Sequence, residues 1–121
     1  MPHARHLVLV DDDPHVLSAL RFAFEIEGYE VSTFDRGEDL LANPPIHPAT
    51  CLVIDERLSG ISGLETIAGL RALGIGVPAI LITTNPAEIT FRRAARAGVA
   101  IVEKPLIGDA LAVKVRATLG A

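Results

Sequence analysis

The sequence is poor in cysteine, in aromatic residues and in long apolar runs, and each shortage excludes a class of protein. Cys51 is the only cysteine, so no intramolecular disulfide can form and a disulfide-stapled secreted fold is excluded. Aromatic residues make up 4% of the chain, so stacking platforms for single-stranded nucleic acid are not expected. The apolar run at residues 7–10 is too short for a signal peptide core, and no run approaches the roughly 20 residues that span a bilayer.

What the chain does have is ample apolar material for a core. Half of its 121 residues are hydrophobic and 21% are charged, a composition typical of one globular domain. Eleven basic and fifteen acidic side chains leave a net charge of −4, which argues against bulk electrostatic binding to nucleic acid. These features predict a single soluble cytoplasmic domain that neither enters a membrane nor binds nucleic acid directly.

Short apolar runs alternate along the chain with amphipathic segments. Strands are predicted at residues 7–10, 30–34, 51–54, 77–82 and 99–102. The helices between them carry apolar stripes, which comprise Val16, Leu20 and Phe24 in the first, Leu64, Ile67 and Leu70 in the third, and Ile107, Leu111, Val115 and Leu119 in the last. A short second helix is predicted at residues 38–42.

Polar residues and prolines mark where these helices begin. Asp13 followed by Pro14 predicts a cap and first turn for the first helix. The segment from Asn85 to Glu88 predicts a cap, a starting proline and a capping-box partner for the fourth. Five buried strands alternating with five helices predict an α/β fold of (βα)5 type, in which a parallel sheet is covered by helices on both faces as three layers.

Ligands of such open sheets bind beyond the carboxyl ends of the strands. The first strand is followed by Asp11, Asp12 and Asp13, and the third by Asp55. Carboxylates converging at one edge repel one another, and an all-oxygen site suits Mg²⁺ or Mn²⁺. The alternative is a solvated helix cap, and Asp13 is assigned to that role. Because Asp55 follows a neighbouring strand, Asp11 and Asp12 are interpreted as metal ligands.

Two further strand ends contribute Thr83 and Lys104 to the same edge. Lys104 alone would be interpreted as a structural ion pair. Beside a metal and a hydroxyl group, its ammonium completes the set of groups that neutralises a phosphoryl group during transfer. The pocket is therefore predicted to place phosphate on Asp55, whose carboxylate acts as the nucleophile. The Lys104–Pro105 bond is a candidate cis peptide.

These motifs together resemble the receiver domain of two-component response regulators. The resemblance covers essentially the whole chain and rests on Val10-Asp11-Asp12-Asp13-Pro14, on Asp55 followed by Gly63, on Ile82-Thr83, and on Glu103-Lys104-Pro105. It implies a flavodoxin-like (CheY-like) sheet of strand order 2-1-3-4-5 and one receiver domain over residues 1–121. It also implies a signalling phosphoacceptor rather than a metabolic enzyme, with a sensor histidine kinase or a phosphotransfer protein as the donor.

The resemblance also assigns roles to individual residues. It implies that Mg²⁺ is held by Asp11, Asp12, Asp55 and the backbone carbonyl of Arg57. Thr83 would supply the switch hydroxyl and Lys104 the phosphate contact. Phosphorylation would switch the surface of the fourth helix and fifth strand. The resemblance also implies that the domain forms a homodimer through this surface and the fifth helix. The segment from Asp55 to Gly63 resembles receivers of the FixJ/NarL type in particular.

Some positions depart from the usual receiver pattern. Ile101 occupies the switch position, where an aromatic residue is usual, and the stretch from Gly98 to Lys104 is one residue shorter than the common pattern. Glu56 places an extra negative charge next to Asp55. These departures motivate an alternative, a non-phosphorylated pseudo-receiver that acts as a protein-interaction module. A small phosphatase with an aspartyl nucleophile is a more distant alternative, because no insertion long enough for a cap over the substrate is present.

Overall fold

The computed structural model describes residues 5–106 and 109–119 as five strands that alternate with five helices. The strands are β1 (His6–Val10), β2 (Glu30–Phe34), β3 (Thr50–Asp55), β4 (Ala79–Thr83) and β5 (Ala100–Glu103). The helices are α1 (Pro14–Ile26), α2 (Gly37–Ala42), α3 (Gly63–Ala72), α4 (Glu88–Ala97) and α5 (Ala110–Leu119). Within the described ranges, no helix is long and apolar enough to cross a bilayer.

The strands form one sheet of order β2-β1-β3-β4-β5, and every pairing in it is parallel. This confirms the predicted α/β class and strand order. Val10 pairs with Ile54, so the residues that follow them, Asp11 and Asp55, emerge side by side from adjacent strands. The sheet register therefore brings the two carboxylates together before any side-chain contact is considered.

Alternate residues of each strand face opposite sides of the sheet and form two separate apolar cores. One core packs β1, β3 and β4 residues such as Val8, Leu52 and Leu81 against α2 and α3. The other packs Leu7, Val53 and their neighbours against α1 and α5. Because helices cover both faces, the central strands β1, β3 and β4 are buried along their whole length, whereas the edge strands β2 and β5, which the sequence also predicted to be buried, are only partly buried.

Several element boundaries differ from the prediction. The fourth strand was predicted from Val77 but begins at Ala79, because Pro78 lies between them and has no N–H for the strand ladder. The first helix packs Leu17, Leu20 and Phe24 against the core, so Leu17 takes the place that the predicted stripe gave to Val16. The predicted stripe of α5 includes Ile107, which lies outside the described residues.

The predicted cap of α4 is wrong. Asn85 has a left-handed backbone (φ 43°), which does not suit the extended conformation of a capping residue. The chain turns there, and Pro86 and Ala87 remain outside the helix, which begins at Glu88 with Ala87 in the capping position. The methyl side chain of Ala87 cannot accept a hydrogen bond, so α4 begins without the predicted capping box.

Candidate functional site

Three carboxylates meet at the carboxyl edge of the sheet. Oxygens of Asp11, Asp12 and Asp55 all lie within 4.8 Å of one another. Asp11 is 3% exposed and Asp55 6% exposed, whereas Asp12 faces solvent. The sequence predicted this grouping from the strand ends, and the structure brings these three side chains together.

The side chain of Lys104 reaches into this group from beyond β5. Its Nζ lies 3.0 Å from Oδ2 of Asp55 and 3.4 Å from Oδ2 of Asp11. Its backbone N–H donates to the carbonyl of Thr83 at 2.8 Å, and the Lys104–Pro105 peptide is cis, as anticipated. One ammonium group therefore faces two buried carboxylates.

Burial and charge shift the pKa values of this group in identifiable ways. Burial raises the pKa of Asp11, and repulsion from Asp55 adds to that rise, while the backbone N–H of Asp13 and the ammonium of Lys104 oppose it. Desolvation lowers the pKa of Lys104, but hydrogen bonds and attraction to Asp55 and Asp11 outweigh it, so the net pKa is raised. The pocket thus concentrates negative charge that a single ammonium only partly compensates.

Asp13 is not part of the carboxylate group. Its side chain accepts a hydrogen bond from the backbone N–H of His15 at 2.9 Å and caps α1. Its own backbone N–H donates to Oδ1 of Asp11 at 2.9 Å, which orients that carboxylate. This confirms the assignment of Asp13 to a capping role and leaves Asp11 and Asp12 as the acidic pair.

The second oxygen of Asp55 faces the loop that follows β3. Its Oδ1 accepts a hydrogen bond from the backbone N–H of Arg57 at 3.3 Å. The Arg57 side chain is exposed, and the hydrogen bond to Asp55 comes from the backbone of this residue. The role predicted for the Arg57 carbonyl as a metal ligand stays a prediction.

Thr83 and Ile101 occupy the neighbouring strands β4 and β5. Thr83 is the last residue of β4 and is 3% exposed, one residue beyond the position that pairs with Asp55. Ile101 pairs with Leu81 and packs, half-buried, against the core that contains α2 and α3. The aliphatic side chain at the predicted switch position is therefore a core contact in this structure.

Glu56 and Glu38 make hydrogen bonds around the loop after β3 that were not predicted from the sequence. Glu56 was expected to add negative charge beside Asp55, but its Oε1 accepts a hydrogen bond from the backbone N–H of Leu64 at 2.8 Å, in the first turn of α3. Glu38 Oε2 accepts from the N–H of Ile61 at 3.4 Å and so ties α2 to the same loop. No sequence signal points to either contact, because both depend on the path of the loop.

The donor set fits a hard divalent cation. Carboxylate oxygens are the ligands that Mg²⁺ and Mn²⁺ prefer, and Asp12 leaves one side of the group open to water. A cation would relieve the repulsion between Asp11 and Asp55 that the single Lys104 ammonium leaves in place. The residues present therefore suit the predicted metal.

Comparison with known proteins identifies the family. A family model described as the response regulator receiver domain matches residues 7–116. The chain belongs to this family. Receiver domains of response regulators are signalling phosphoacceptors of two-component systems, and the family interacts with histidine kinases and phosphotransfer proteins.

The curated relatives of this chain include proteins named as transcriptional regulators. It is 34% identical over 114 residues to the C4-dicarboxylate transport transcriptional regulatory protein DctD of Pseudomonas aeruginosa, covering 93% of this chain and 25% of that protein. It is 34% identical over 122 residues to the transcriptional regulatory protein FixJ of Azorhizobium caulinodans, covering 99% of this chain and 57% of that protein. The chain thus spans from about a quarter to a little over half the length of these relatives.

Solved structures confirm the fold of the receiver domain. A crystal structure of FixJ-N superposes with a TM-score of 0.83 at 28% identity, covering 98% of this chain and 94% of that chain. A CheY-like receiver domain protein from Methanospirillum hungatei superposes with a TM-score of 0.88, covering 98% of this chain and 95% of that chain, and at 24% identity it shows the fold alone. The relatives thus include FixJ proteins, as the resemblance of the Asp55–Gly63 segment implied. They also include DctD.

Proposed function

We propose that this receiver domain, taken as residues 1–121, accepts a phosphoryl group on Asp55 from a sensor histidine kinase or a phosphotransfer protein. The observation that carries the proposal is the setting of the Asp55 carboxylate. It is buried, it lies beside both the Lys104 ammonium and the acidic pair, and its two oxygens have different partners. A carboxylate that served only as an ion-pair partner for Lys104 would not need two further carboxylates beside it.

Each residue at the site has a role in this reaction. An oxygen of Asp55 forms a bond to phosphorus while the bond from phosphorus to the donor histidine nitrogen breaks. Lys104 lies where it neutralises the charge that builds up on the phosphoryl oxygens. Asp11, Asp12, Asp55 and the Arg57 carbonyl would hold Mg²⁺, or Mn²⁺ in its place. Bound there, the cation would supply positive charge to the oxygens of the transferring group.

Phosphorylation would switch the surface formed by α4 and β5. The acyl phosphate adds negative charge beside Thr83 and Lys104, which favours movement of the Thr83 hydroxyl and the Lys104 ammonium toward it. In α4, Ala94 is buried while Ile89 and Phe91 are exposed, so this helix has little packing to resist repositioning. Its exposed arginines, with β5 and α5, form the surface that we propose contacts a second copy of the domain.

A cytoplasmic location stays a prediction.

Phosphorylation by a small donor tests the proposal. The protein is incubated with acetyl phosphate and Mg²⁺, or with acetyl phosphate and EDTA, and its intact mass is measured. We expect the mass of one phosphoryl group to be added only with Mg²⁺, and not in Asp55→Asn. Asp13→Asn is the matched control, because Asn also caps helices and Asp13 lies outside the carboxylate group, so this variant is expected to be phosphorylated.

The alternative of a non-phosphorylated interaction module is favoured by Ile101, which cannot act as the usual aromatic switch residue. Beryllofluoride, an analogue of the phosphoryl group, separates the two functions. Binding of beryllofluoride without modification by acetyl phosphate would show a working pocket that requires its kinase. Failure of both reagents would support the interaction module instead.

A further inference from the structure

The loop after the phosphoacceptor is closed by hydrogen bonds that converge on Glu56. The backbone N–H of Glu56 donates to the carbonyl of Ile82 at 2.9 Å, which ties the residue to β4. Its carbonyl accepts from the N–H of Gly63 at 3.1 Å, and its side-chain Oε1 accepts from the N–H of Leu64 at 2.8 Å. One residue therefore joins the end of β3, the edge of β4 and the first turn of α3.

This contact differs in kind from the local cap of α3. Ser62 and Glu65 form a reciprocal capping box, in which Ser62 Oγ accepts from the Glu65 N–H at 3.1 Å and Glu65 Oε1 accepts from the Ser62 N–H at 2.9 Å. The helix terminus is thus capped by its own residues. The additional bond from Glu56 connects that terminus to the residue that directly follows Asp55.

The loop that Glu56 closes contains the backbone group that contacts the acceptor. The N–H of Arg57 lies 3.3 Å from Oδ1 of Asp55, and Arg57 immediately follows Glu56. At the other end, a Cβ at Gly63 would lie 2.5 Å from the carbonyl oxygen of Asp55, so α3 begins directly against the backbone of the acceptor. Fixing Glu56 to the first turn of α3 therefore limits the positions that Arg57 can take relative to Asp55.

The charge of Glu56 is also directed away from the phosphoryl site. Glu56 Oε1 accepts from the N–H of Leu64, whereas the Asp55 oxygens face the Lys104 ammonium and the Arg57 N–H, so the two carboxylates have different partners. The Glu56 carboxylate lies at a helix N-terminus, where backbone donors and the helix dipole favour negative charge. It can therefore act on the site through the backbone without adding strong repulsion to an incoming phosphoryl group.

We propose that Glu56 is a positioning residue for phosphoryl transfer. Its carboxylate holds the loop of residues 56–63 on α3 and thereby places the Arg57 backbone for contact with Asp55 and with the metal ion. This inference rests on the proposed function of Asp55 and assigns a role to a residue outside the carboxylate group. It requires that the side chain at position 56 reach the Leu64 N–H as a hydrogen-bond acceptor, with or without charge.

Variants that change either the length or the charge of the side chain at position 56 test this proposal on the full chain. Glu56→Gln keeps an acceptor at the same reach without charge, and Glu56→Asp keeps the charge but is one methylene too short. Glu65→Ala is the matched control, because it removes a carboxylate from the same helix terminus whose partner is the Ser62 N–H of the local cap rather than Glu56 or Arg57. Each variant is measured for amide hydrogen exchange at Arg57 and Leu64 without any phosphodonor, and for its rate of phosphorylation by acetyl phosphate with Mg²⁺.

We expect Glu56→Asp to exchange faster than wild type at both amides and to be phosphorylated about tenfold more slowly, the loss typical of removing a residue that orients a metal site. Glu56→Gln should retain wild-type exchange and rate, and Glu65→Ala should keep the wild-type rate. The proposal is overturned if Glu56→Asp matches wild type in both measurements, or if Glu65→Ala slows phosphorylation equally. If wild type is not phosphorylated, the proposed function fails, and the exchange at Arg57 still decides whether Glu56 holds the loop.

Discussion

The ammonium of Lys104 lies 3.0 Å from Oδ2 of Asp55, although 49 residues separate the two in the sequence. The contact spans the width of β4, because Asp55 ends β3 and Lys104 follows β5. The same ammonium lies 3.4 Å from Asp11, so one cation serves two buried carboxylates from two other strands. The electrostatics of the pocket therefore depend on the sheet being assembled in the observed order.

Replacing Lys104 by methionine should destabilise the protein in the absence of Mg²⁺. Asp11 and Asp55 would lose the ammonium that compensates them, and because Lys104 is partly exposed we expect the free energy of unfolding to fall by about 2 kcal/mol near neutral pH. The pKa of Asp11, already raised, should rise further, and a raised carboxyl pKa means that stability recovers as the pH falls toward it. Urea unfolding at about pH 7.5 and about pH 5 would measure this.

The exposed Lys114 on α5 provides the comparison for that experiment. Lys114→Met removes the same charge from the surface and should change stability by no more than about 0.5 kcal/mol. If Lys104→Met were as stable as Lys114→Met near neutral pH, the ammonium would not be compensating the buried carboxylates.

Mg²⁺ should stabilise the folded chain through the exposed carboxylate of Asp12. At a concentration about tenfold above its dissociation constant, the ion should add about 1.4 kcal/mol to the free energy of unfolding. Asp12→Asn should lose most of this gain, while Asp13→Asn should keep it because Asp13 caps α1 instead. Calorimetric melts with MgCl₂ and with NaCl at matched ionic strength would separate binding from screening. Equal stabilisation of the two variants would contradict the ligand assignment.

Gly63→Ala should disturb the site, whereas Gly69→Ala in the same helix should not. A Cβ at Gly63 would lie 2.5 Å from the Asp55 carbonyl oxygen and 3.0 Å from the Glu56 Cα, and these backbone atoms cannot move aside easily. A Cβ at Gly69 would meet the end of the Leu41 side chain at 2.9 Å, which can rotate away. We expect Gly63→Ala to lower the free energy of unfolding by about 1–3 kcal/mol.

The Gly69→Ala variant gains helix propensity of up to about 1 kcal/mol, which offsets the adjustment of Leu41. Chemical denaturation of both variants, followed by circular dichroism because the chain has no tryptophan, would test the contrast. A Gly63→Ala variant as stable as Gly69→Ala would show that α3 is not packed tightly against the end of β3.

His6 should make stability depend on pH. Its Nδ1 and Nε2 lie 2.9 Å from the hydroxyl oxygens of Thr50 and Ser32. Burial lowers the pKa of His6 from the ordinary 6.5, and nearby His47 lowers it further, against a smaller opposing effect of Glu30. The unfolded chain therefore binds a proton more readily, so this contribution to stability is present above about pH 6.5 and is lost as the pH falls.

The free energy of unfolding should accordingly decrease between about pH 7.5 and about pH 5.5, and His6→Gln should show a smaller decrease than wild type. Glutamine is chosen because it keeps a polar side chain that can bond to the two hydroxyls without titrating. Identical pH profiles for the two proteins would mean that His6 does not titrate differently on folding.

The sequence predicted those parts of the site that depend on strand ends. Asp11, Asp55 and Lys104 follow continuous apolar runs, and a parallel sheet brings such positions to one edge whatever the loops do. The contact from Glu56 to Leu64 could not be predicted, because it depends on how the intervening loop folds back. Asn85 is a residue type that often caps helices, but its backbone is left-handed here. That conformation depends on the turn after β4 and could not be predicted from the local sequence.

Trapping the acyl phosphate at its site tests the central claim most directly. After reaction with acetyl phosphate and Mg²⁺, borohydride reduction converts an aspartyl phosphate to homoserine, and peptide mass spectrometry locates the changed residue. Phosphorylation of Asp55 predicts homoserine at position 55 and no change at Asp11 or Asp12. Homoserine at another aspartate, or an unmodified Asp55 in a protein that has gained phosphate, would contradict the account.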